Sequence, residues 1–247
     1  MITSTFLHLT APSICLIFVT IFFLVLERLS PGRQLPKVRG WYTRALSVNL
    51  AQLIITLATA KIWIKLFGDH SLFELSNVQN PILEGIIGWT IGTFFFYWWH
   101  RYRHSKTLWY IFHQVHHSPS RIEVVTSFYK HPIEILSDSI LTAIVLYPLL
   151  GCSMMGVFWN NFFAAVAEYF YHANIKTPGW IRYVIQTPEL HSIHHQFDVH
   201  YYNFSDLPIW DRIFGTYMDT TEFADRCGFT ETSERRLLPM LLFKHVD

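Results

Sequence analysis

The sequence predicts an all-α protein: an integral membrane helical bundle with a cytosolic histidine-rich helical cap. Three observations carry this. Several stretches long enough to cross a bilayer contain no formal charge. Aromatic residues reach 17%, with 9 Trp and 21 Phe, and charged residues only 15%, a balance ordinary for a membrane protein with interfacial belts and rich for a soluble domain. Eight of the 14 histidines stand in three tight groups: His100-x3-His104, His113-x2-His116-His117 and His191-x2-His194-His195.

The first expected helix covers residues 11–26, inside a charge-free stretch that runs from residue 1 to 26. It lacks the basic leader and small-residue cleavage site of a signal peptide, so it is expected to span the membrane. Residues 45–67 form a second span, with Lys61 and Lys65 near its end. Residues 81–99 form a third, which ends in Tyr97-Trp98-Trp99, a trio suited to a membrane interface. Residues 139–167 are again uncharged and too long for one span of about 20 residues. Pro148 and Gly151 punctuate the run, which predicts a hairpin of helices at about 133–150 and 153–171. The chain then divides into N-terminal spans (1–93, the third ending near 99), a catalytic region (94–217, hairpin included) and a cytosolic tail (218–247).

Charge orients the array. The loop after the first span holds Arg28, Arg33, Lys37, Arg39 and Arg44, whereas the loop after the second holds Asp69 and Glu74 and no Lys or Arg. The positive-inside rule puts the first loop and the histidine segments in the cytoplasm and the N-terminus outside. The hairpin separates the second and third histidine groups by two crossings, which returns them to the same side. The compact chain without an organelle-retention signal points to a bacterial inner membrane. The net charge of +1 gives no support to a nucleic-acid partner, and Cys15, Cys152 and Cys227 are too far apart for a cysteine-ligated site.

Spacings of three, four and seven residues set imidazoles on one helical face. Three such faces have no packing rationale, but neutral imidazole is the commonest protein ligand for first-row transition metals. The third span is expected to run past the membrane surface to carry His100 and His104. Pro119 closes the second group. Thr187 as N-cap, Pro188 and Glu189 open a helix for the third. His172 ends the fifth span with Glu168 one turn earlier, where a carboxylate is costly unless paired or ligating. His172 is therefore a candidate ligand, and Glu168 a ligand or an acceptor for an imidazole N–H. His131, before Pro132, is as readily structural as ligating. His8, His70, His200 and His245 are solitary and receive no role. Trp98 and Trp99 read as interfacial anchors.

Eight or nine imidazoles are too many for one structural zinc, which closes with four ligands. They suit two metals with open positions, and an all-imidazole, sulfur-free site facing the cytoplasm suits iron that activates dioxygen, although spacing alone does not separate iron from zinc. No His is followed by Glu, which excludes a His-Glu-x-x-His protease.

These residues resemble the membrane-bound fatty acid hydroxylase / sterol desaturase superfamily, whose pattern is His-x3-4-His followed by two His-x2-3-His-His boxes. The resemblance covers roughly residues 94–217, including Phe112-His113-Gln114-Val115-His116-His117, His172-Ala173-Asn174 and Trp210-Asp211-Arg212-Ile213-Phe214-Gly215. It is nearest to the bacterial sterol-desaturase-like branch, which also resembles alkylglycerol monooxygenases. It implies a di-iron centre with O2 as co-substrate, held by His100, His104, His113, His116, His117, His172, His191, His194 and His195. It also implies oxidation of a lipid C–H position (fatty acyl, sterol or ether lipid) and a separate electron-donor protein. Some relatives carry histidine where Glu168 stands, which leaves the ligand count open. The segment 210–216 reads as a lid, capped by Ser205 or Asp206 and ended by Gly215. Asp211 is expected to be solvated or paired with Arg212, with a bond to a ligating imidazole as the alternative, and Asn203 is a further candidate for a polar contact there. The competing readings are a membrane metal transporter or metal-binding protein, and a haem- or quinone-binding electron-transfer subunit.

Overall fold

The computed structural model describes residues 2–68 and 70–246, with side chains from residue 11 onward. Asp69 and the side chain of His8 lie outside that set. Ten α-helices follow one another, joined by short 3-10 and π turns, with no strand among the described residues beyond one isolated bridge between Gln196 and Cys227.

α1 (Ile2–Leu29) and α2 (Trp41–Phe67) are the first long helices. α3 (Pro81–Arg103) starts where Asn80 accepts a hydrogen bond from the Leu83 amide and Pro81 presets the first turn. It runs past Trp99, as expected, to carry His100, and His104 closes it as the C-cap. α4 (Lys106–Leu108), a π turn (Trp109–His113) and α5 (Gln114–His117) form one continuous helical stretch. The hairpin is present: α6 (Pro132–Ile144) continues through a π turn at Val145–Leu149 that accommodates Pro148, which has no N–H to give. Gly151 reverses the chain at φ +64°, and Ser153 caps α7 (Met154–His172) by accepting from the Gly156 amide.

Among the described residues, three helical stretches are long and apolar enough to cross a membrane: Ala11–Leu29, Trp41–Phe67 and Pro132–Leu149. They turn large apolar side chains outward, among them Ile17, Phe18, Ile21, Leu50, Leu53 and Leu57, a surface that hydrocarbon would cover. The chain is a membrane protein on that ground. The other two expected spans, α3 and α7, are continuous helices that pack chiefly on each other. They are more polar, carrying Glu84 on one and Asn160, Asn161 and Glu168 on the other. Gly85 permits their close approach, since a Cβ there would sit 2.5 Å from Cβ of Trp159. α1 lies against α7, and α2 against α6.

The short helices cap one end of this bundle: α8 (Pro188–His194), α9 (Pro208–Ile213) and α10 (Leu237–Leu241). Thr187 caps α8 and Pro188 opens it, as the sequence predicts. α9 corrects the expected cap: Leu207 holds that position without a side-chain bond, because Asp206 is engaged by Trp89 and Tyr171. The C-terminal stretch packs beneath α5, with Met240, Phe229 and Val246 buried against Trp41, Trp109 and Val115.

Candidate metal centre

All nine candidate ligands converge at the capped end of the bundle, in two groups. His100, His104, His113, His117 and His194 form one, and His116, His172, His191 and His195 the other. Within each group the nearest ring nitrogens all lie within 4.8 Å of one another. Eight of the nine residues are buried.

The two His-x2-His-His boxes exchange members. His113 and His117, one turn apart, serve the first group while His116 turns to the second. In α8 the arrangement is reversed: His191 and His195 serve the second group and His194 the first. Helical spacing explains this. Positions i and i+4 project 40° apart, and i+3 projects to the other side of i, so each box straddles a seam instead of facing one point. α3 adds His100 and His104 to the first group, and α7 adds His172 to the second.

Hydrogen bonds fix ring orientation from outside. His100 Nδ1 donates to the Phe204 carbonyl (2.7 Å), His194 Nδ1 to the Tyr202 carbonyl (2.8 Å), His113 Nδ1 to Glu134 Oε1 (2.9 Å) and His172 Nδ1 to the Glu168 carbonyl (2.9 Å). Each donation leaves an Nε2 lone pair pointing inward. These inward atoms crowd: His113 Nε2 lies 3.0 Å from His104 Nε2, and His191 Nε2 lies 3.1 Å from the Nε2 atoms of both His172 and His195. Among the described residues, the buried Nε2 atoms of His100, His117 and His194 have no protein hydrogen-bond partner. Each such orphan costs about 1–3 kcal/mol, and cations shared among the lone pairs remove that cost. The donor set therefore fits two metal ions, one per group.

Electrostatics agrees. Burial holds the nine rings below the usual histidine range, reinforced by neighbouring imidazoles at every ring but His172, with His172 at about 4 and His194 at about 3. Neutral imidazole is the ligating form.

Beside the rings lies an ionic cluster, with Arg103, Lys130 and Glu134 buried and Asp138 and Glu168 half-buried. Arg103 contacts Glu134 (2.5 Å) and Asp138 (3.3 Å), and Lys130 contacts Asp138 (3.7 Å) and Glu168 (3.0 Å). Burial alone would lower the Lys130 pKa, but Glu168 and Asp138 together raise it, so the ammonium stays charged. Glu168, left open above between ligand and acceptor, lies outside both groups: it pairs with Lys130 and sits 3.5 Å from His172 Nδ1.

The other candidates stand apart from the rings. His131 caps α6, its Nδ1 accepting from the Ile133 amide and its Nε2 reaching the Leu241 carbonyl. Asn203, at φ +57°, donates to the Leu190 and Met218 carbonyls and accepts from the Met218 amide. Asp211 is neither solvated nor paired with Arg212. It is buried and accepts from the Phe204 and Ser205 amides and the Thr216 hydroxyl, which places the Phe204 carbonyl under His100. Trp99 is more than an anchor, since its indole donates to Asp138. His200, given no role by the sequence, packs beside Trp109 and His117 at ring-centroid distances of 4.4 and 5.1 Å. The sequence reading also missed Glu134, Asp138, Lys130 and Arg103. The signal was present in Glu134 and Asp138, two carboxylates one turn apart at the start of an apolar helix.

A cavity of about 110 Å³ opens on both groups, touching His100 of the first and His116, His172 and His191 of the second. Gly88, Gly92 and Phe96 of α3 line it with Leu146 and Ala164 away from the rings, Arg103, Lys130, Asp138 and Glu168 of the ionic cluster also line it, and Asp206 joins Trp89 to Tyr171 across its wall.

The fatty acid hydroxylase family model matches residues 85–216, more than half of the chain and every candidate ligand. The chain is 30% identical over 168 residues to a very-long-chain aldehyde decarbonylase of Oryza sativa subsp. indica, covering 62% of this chain and 26% of that protein. It is 31% identical over 136 residues to an ornithine lipid hydroxylase of Rhizobium tropici (53% and 41%). It is 27% identical over 136 residues to an alkylglycerol monooxygenase of Xenopus tropicalis (52% and 29%). The chain thus spans between about a quarter and two fifths of the length of these relatives. No solved structure matches.

Proposed function

The chain belongs to the fatty acid hydroxylase family, and from that premise we propose that it is a membrane-bound di-iron oxidoreductase. It uses O2 to hydroxylate or desaturate an unactivated C–H position of a lipid. Electrons come from a separate donor protein, as the resemblance to the family implies. The observation that carries this reading is the reciprocal sharing of the two histidine boxes between two groups that open on one cavity.

The five-imidazole group would hold one iron and the four-imidazole group the other. When bound, the two ions supply the O2 activation and hydrogen abstraction that no side chain here can perform. The protein does the rest. Glu134 and the Phe204, Tyr202 and Glu168 carbonyls hold the rings in their ligating tautomers. α3 and α7 wall the cavity, whose volume matches a short piece of hydrocarbon rather than a whole lipid; cavities of the order of 150 Å³ hold benzene. A lipid chain therefore enters from the bilayer and presents one segment to the centre. The candidate ligands lie at helix ends, not midway along the spans, which favours an enzyme over a transporter. The histidine cap faces the cytoplasm and the N-terminus the outside of a bacterial inner membrane.

The test is lipid profiling of membranes that contain the protein, supplied with its reductant and 18O2. The reading predicts a lipid that gains one 18O atom or loses two hydrogens, absent with His113→Ala. An unchanged profile from protein that holds two irons and receives electrons would refute it.

A further inference from the structure

The charges beside the imidazoles, buried at Glu134, Arg103 and Lys130 and half-buried at Asp138 and Glu168, form one chain of contacts between the two groups. His113 Nδ1 lies 2.9 Å from Glu134 Oε1, which Arg103 contacts at 2.5 Å. The same guanidinium reaches Asp138 Oδ2 at 3.3 Å. Lys130 Nζ lies 3.7 Å from that oxygen and 3.0 Å from Glu168 Oε1, and Glu168 Oε2 lies 3.5 Å from His172 Nδ1. His113 belongs to the five-imidazole group and His172 to the four-imidazole group. We infer that Arg103, Asp138 and Lys130, none of which ligates, are positioning residues that hold both metal groups at once by fixing the carboxylates behind His113 and His172.

Geometry and charge both support this role, which rests on the di-metal reading above. The five side chains carry three negative and two positive charges, one net negative charge between two sites that would each receive a dication. Outside hydrogen bonds of this kind orient ligating rings and raise their basicity. Each carboxylate is itself anchored by a buried cation: Arg103 is 4% exposed and Lys130 7%. Lys130 holds the Glu168 carboxylate 3.5 Å from His172 Nδ1, on the residue whose main-chain carbonyl accepts the proton of that ring. Asp138 is the middle of the chain. It touches no imidazole, accepts from the Trp99 indole (2.8 Å) and holds both cations. Neutralising it should loosen both ends together.

The experiment measures metal per chain and the rate at which a chelator removes each ion from the detergent-purified, metal-loaded protein. It compares the parent with Asp138→Asn, Lys130→Met, Lys130→Arg and, as a control, Glu84→Gln. Glu84 is a buried carboxylate that accepts from the Ser153 amide at the far end of α3. Asp138→Asn and Lys130→Met should each release both ions about tenfold faster, the low end of what outer-shell partners contribute. Lys130→Arg and Glu84→Gln should match the parent. If one of the two disruptive variants does not fold, the other carries the test. Faster release of one ion only, no change in either, or the same acceleration in Glu84→Gln would overturn the inference. A parent chain that holds no metal would instead refute the metal reading itself, before any variant is compared.

Discussion

The imidazole of His117 stacks on that of His195, with centroids 4.3 Å apart and planes 20° apart, although the two rings belong to different groups. This contact is the seam of the centre, where the box on α5 meets the box that α8 ends. Removing either ring takes a ligand from one group and a wall from the other. His117→Ala is expected to lower retention of both ions, with loss exceeding one equivalent per chain. Metal analysis after desalting checks it; loss of a single equivalent would mean that the groups are independent.

The depressed imidazole pKa values set a pH window. Below about pH 6.5 the unfolded chain takes up protons on these rings while the folded chain does not, so acid favours unfolding. Stability of the metal-free protein is fully present above that pH. It is lost as pH falls toward about 4 for His172 and about 3 for His194, by about 1.4 kcal/mol per unit for each ring. Melting temperature against pH for the stripped protein reads this directly, and a flat curve between pH 7 and 5 would contradict it.

Asp211 anchors the loop whose carbonyls orient two of the rings. Its replacement by Ala leaves the buried Phe204 and Ser205 amides without their acceptor, at a cost of about 3 kcal/mol. It also frees the Phe204 carbonyl that receives His100. Asp211→Ala should therefore lower both thermal stability and metal content, and Asp211→Asn, which keeps an acceptor oxygen, should lose less of each. Equal losses in the two variants would argue against this role.

Gly92 sets the bore of the cavity. It lies on its wall, and a Cβ added there would meet nothing within 4 Å. Gly92→Leu should fold as well as the parent, since Leu is the better helix former, and hold the same metal, while product from long-chain lipids falls at least tenfold by order of magnitude, the cost of one lost contact in a hydrophobic pocket. Undiminished product would place the substrate path elsewhere.

The clustering of the candidate ligands was legible in the sequence because helical geometry is local: His100 and His104, the two boxes and His172 announce themselves by spacing. The same locality made the Thr187-Pro188 start of α8 and the Pro148–Gly151 reversal readable. What spacing does not reveal is which ring faces which ion. That depends on how α5 and α8 pack across the seam, and it divides each box instead of keeping it whole. Nor does sequence reveal that main-chain carbonyls of Tyr202 and Phe204 back two of the rings, since a carbonyl leaves no residue signature. The pairing of the ionic chain is equally hidden: the carboxylates of Asp138 and Glu168 stand out on apolar helices, but Arg103 and Lys130, which pair with them, come from other segments and meet them only in the fold. Asp211 and Asn203 were read as candidates for polar contacts to the centre, yet their side chains serve the loop that the centre leans on.

The central claim is that the nine imidazoles hold two irons in one shared site. The most direct measurement is metal content and iron oxidation state, by elemental analysis and Mössbauer spectroscopy on detergent-purified protein grown with labelled iron, beside His113→Ala and His194→Ala. The account predicts near two irons per chain in the parent and loss of iron in both variants. One zinc, or no metal in a well-folded sample, would contradict it.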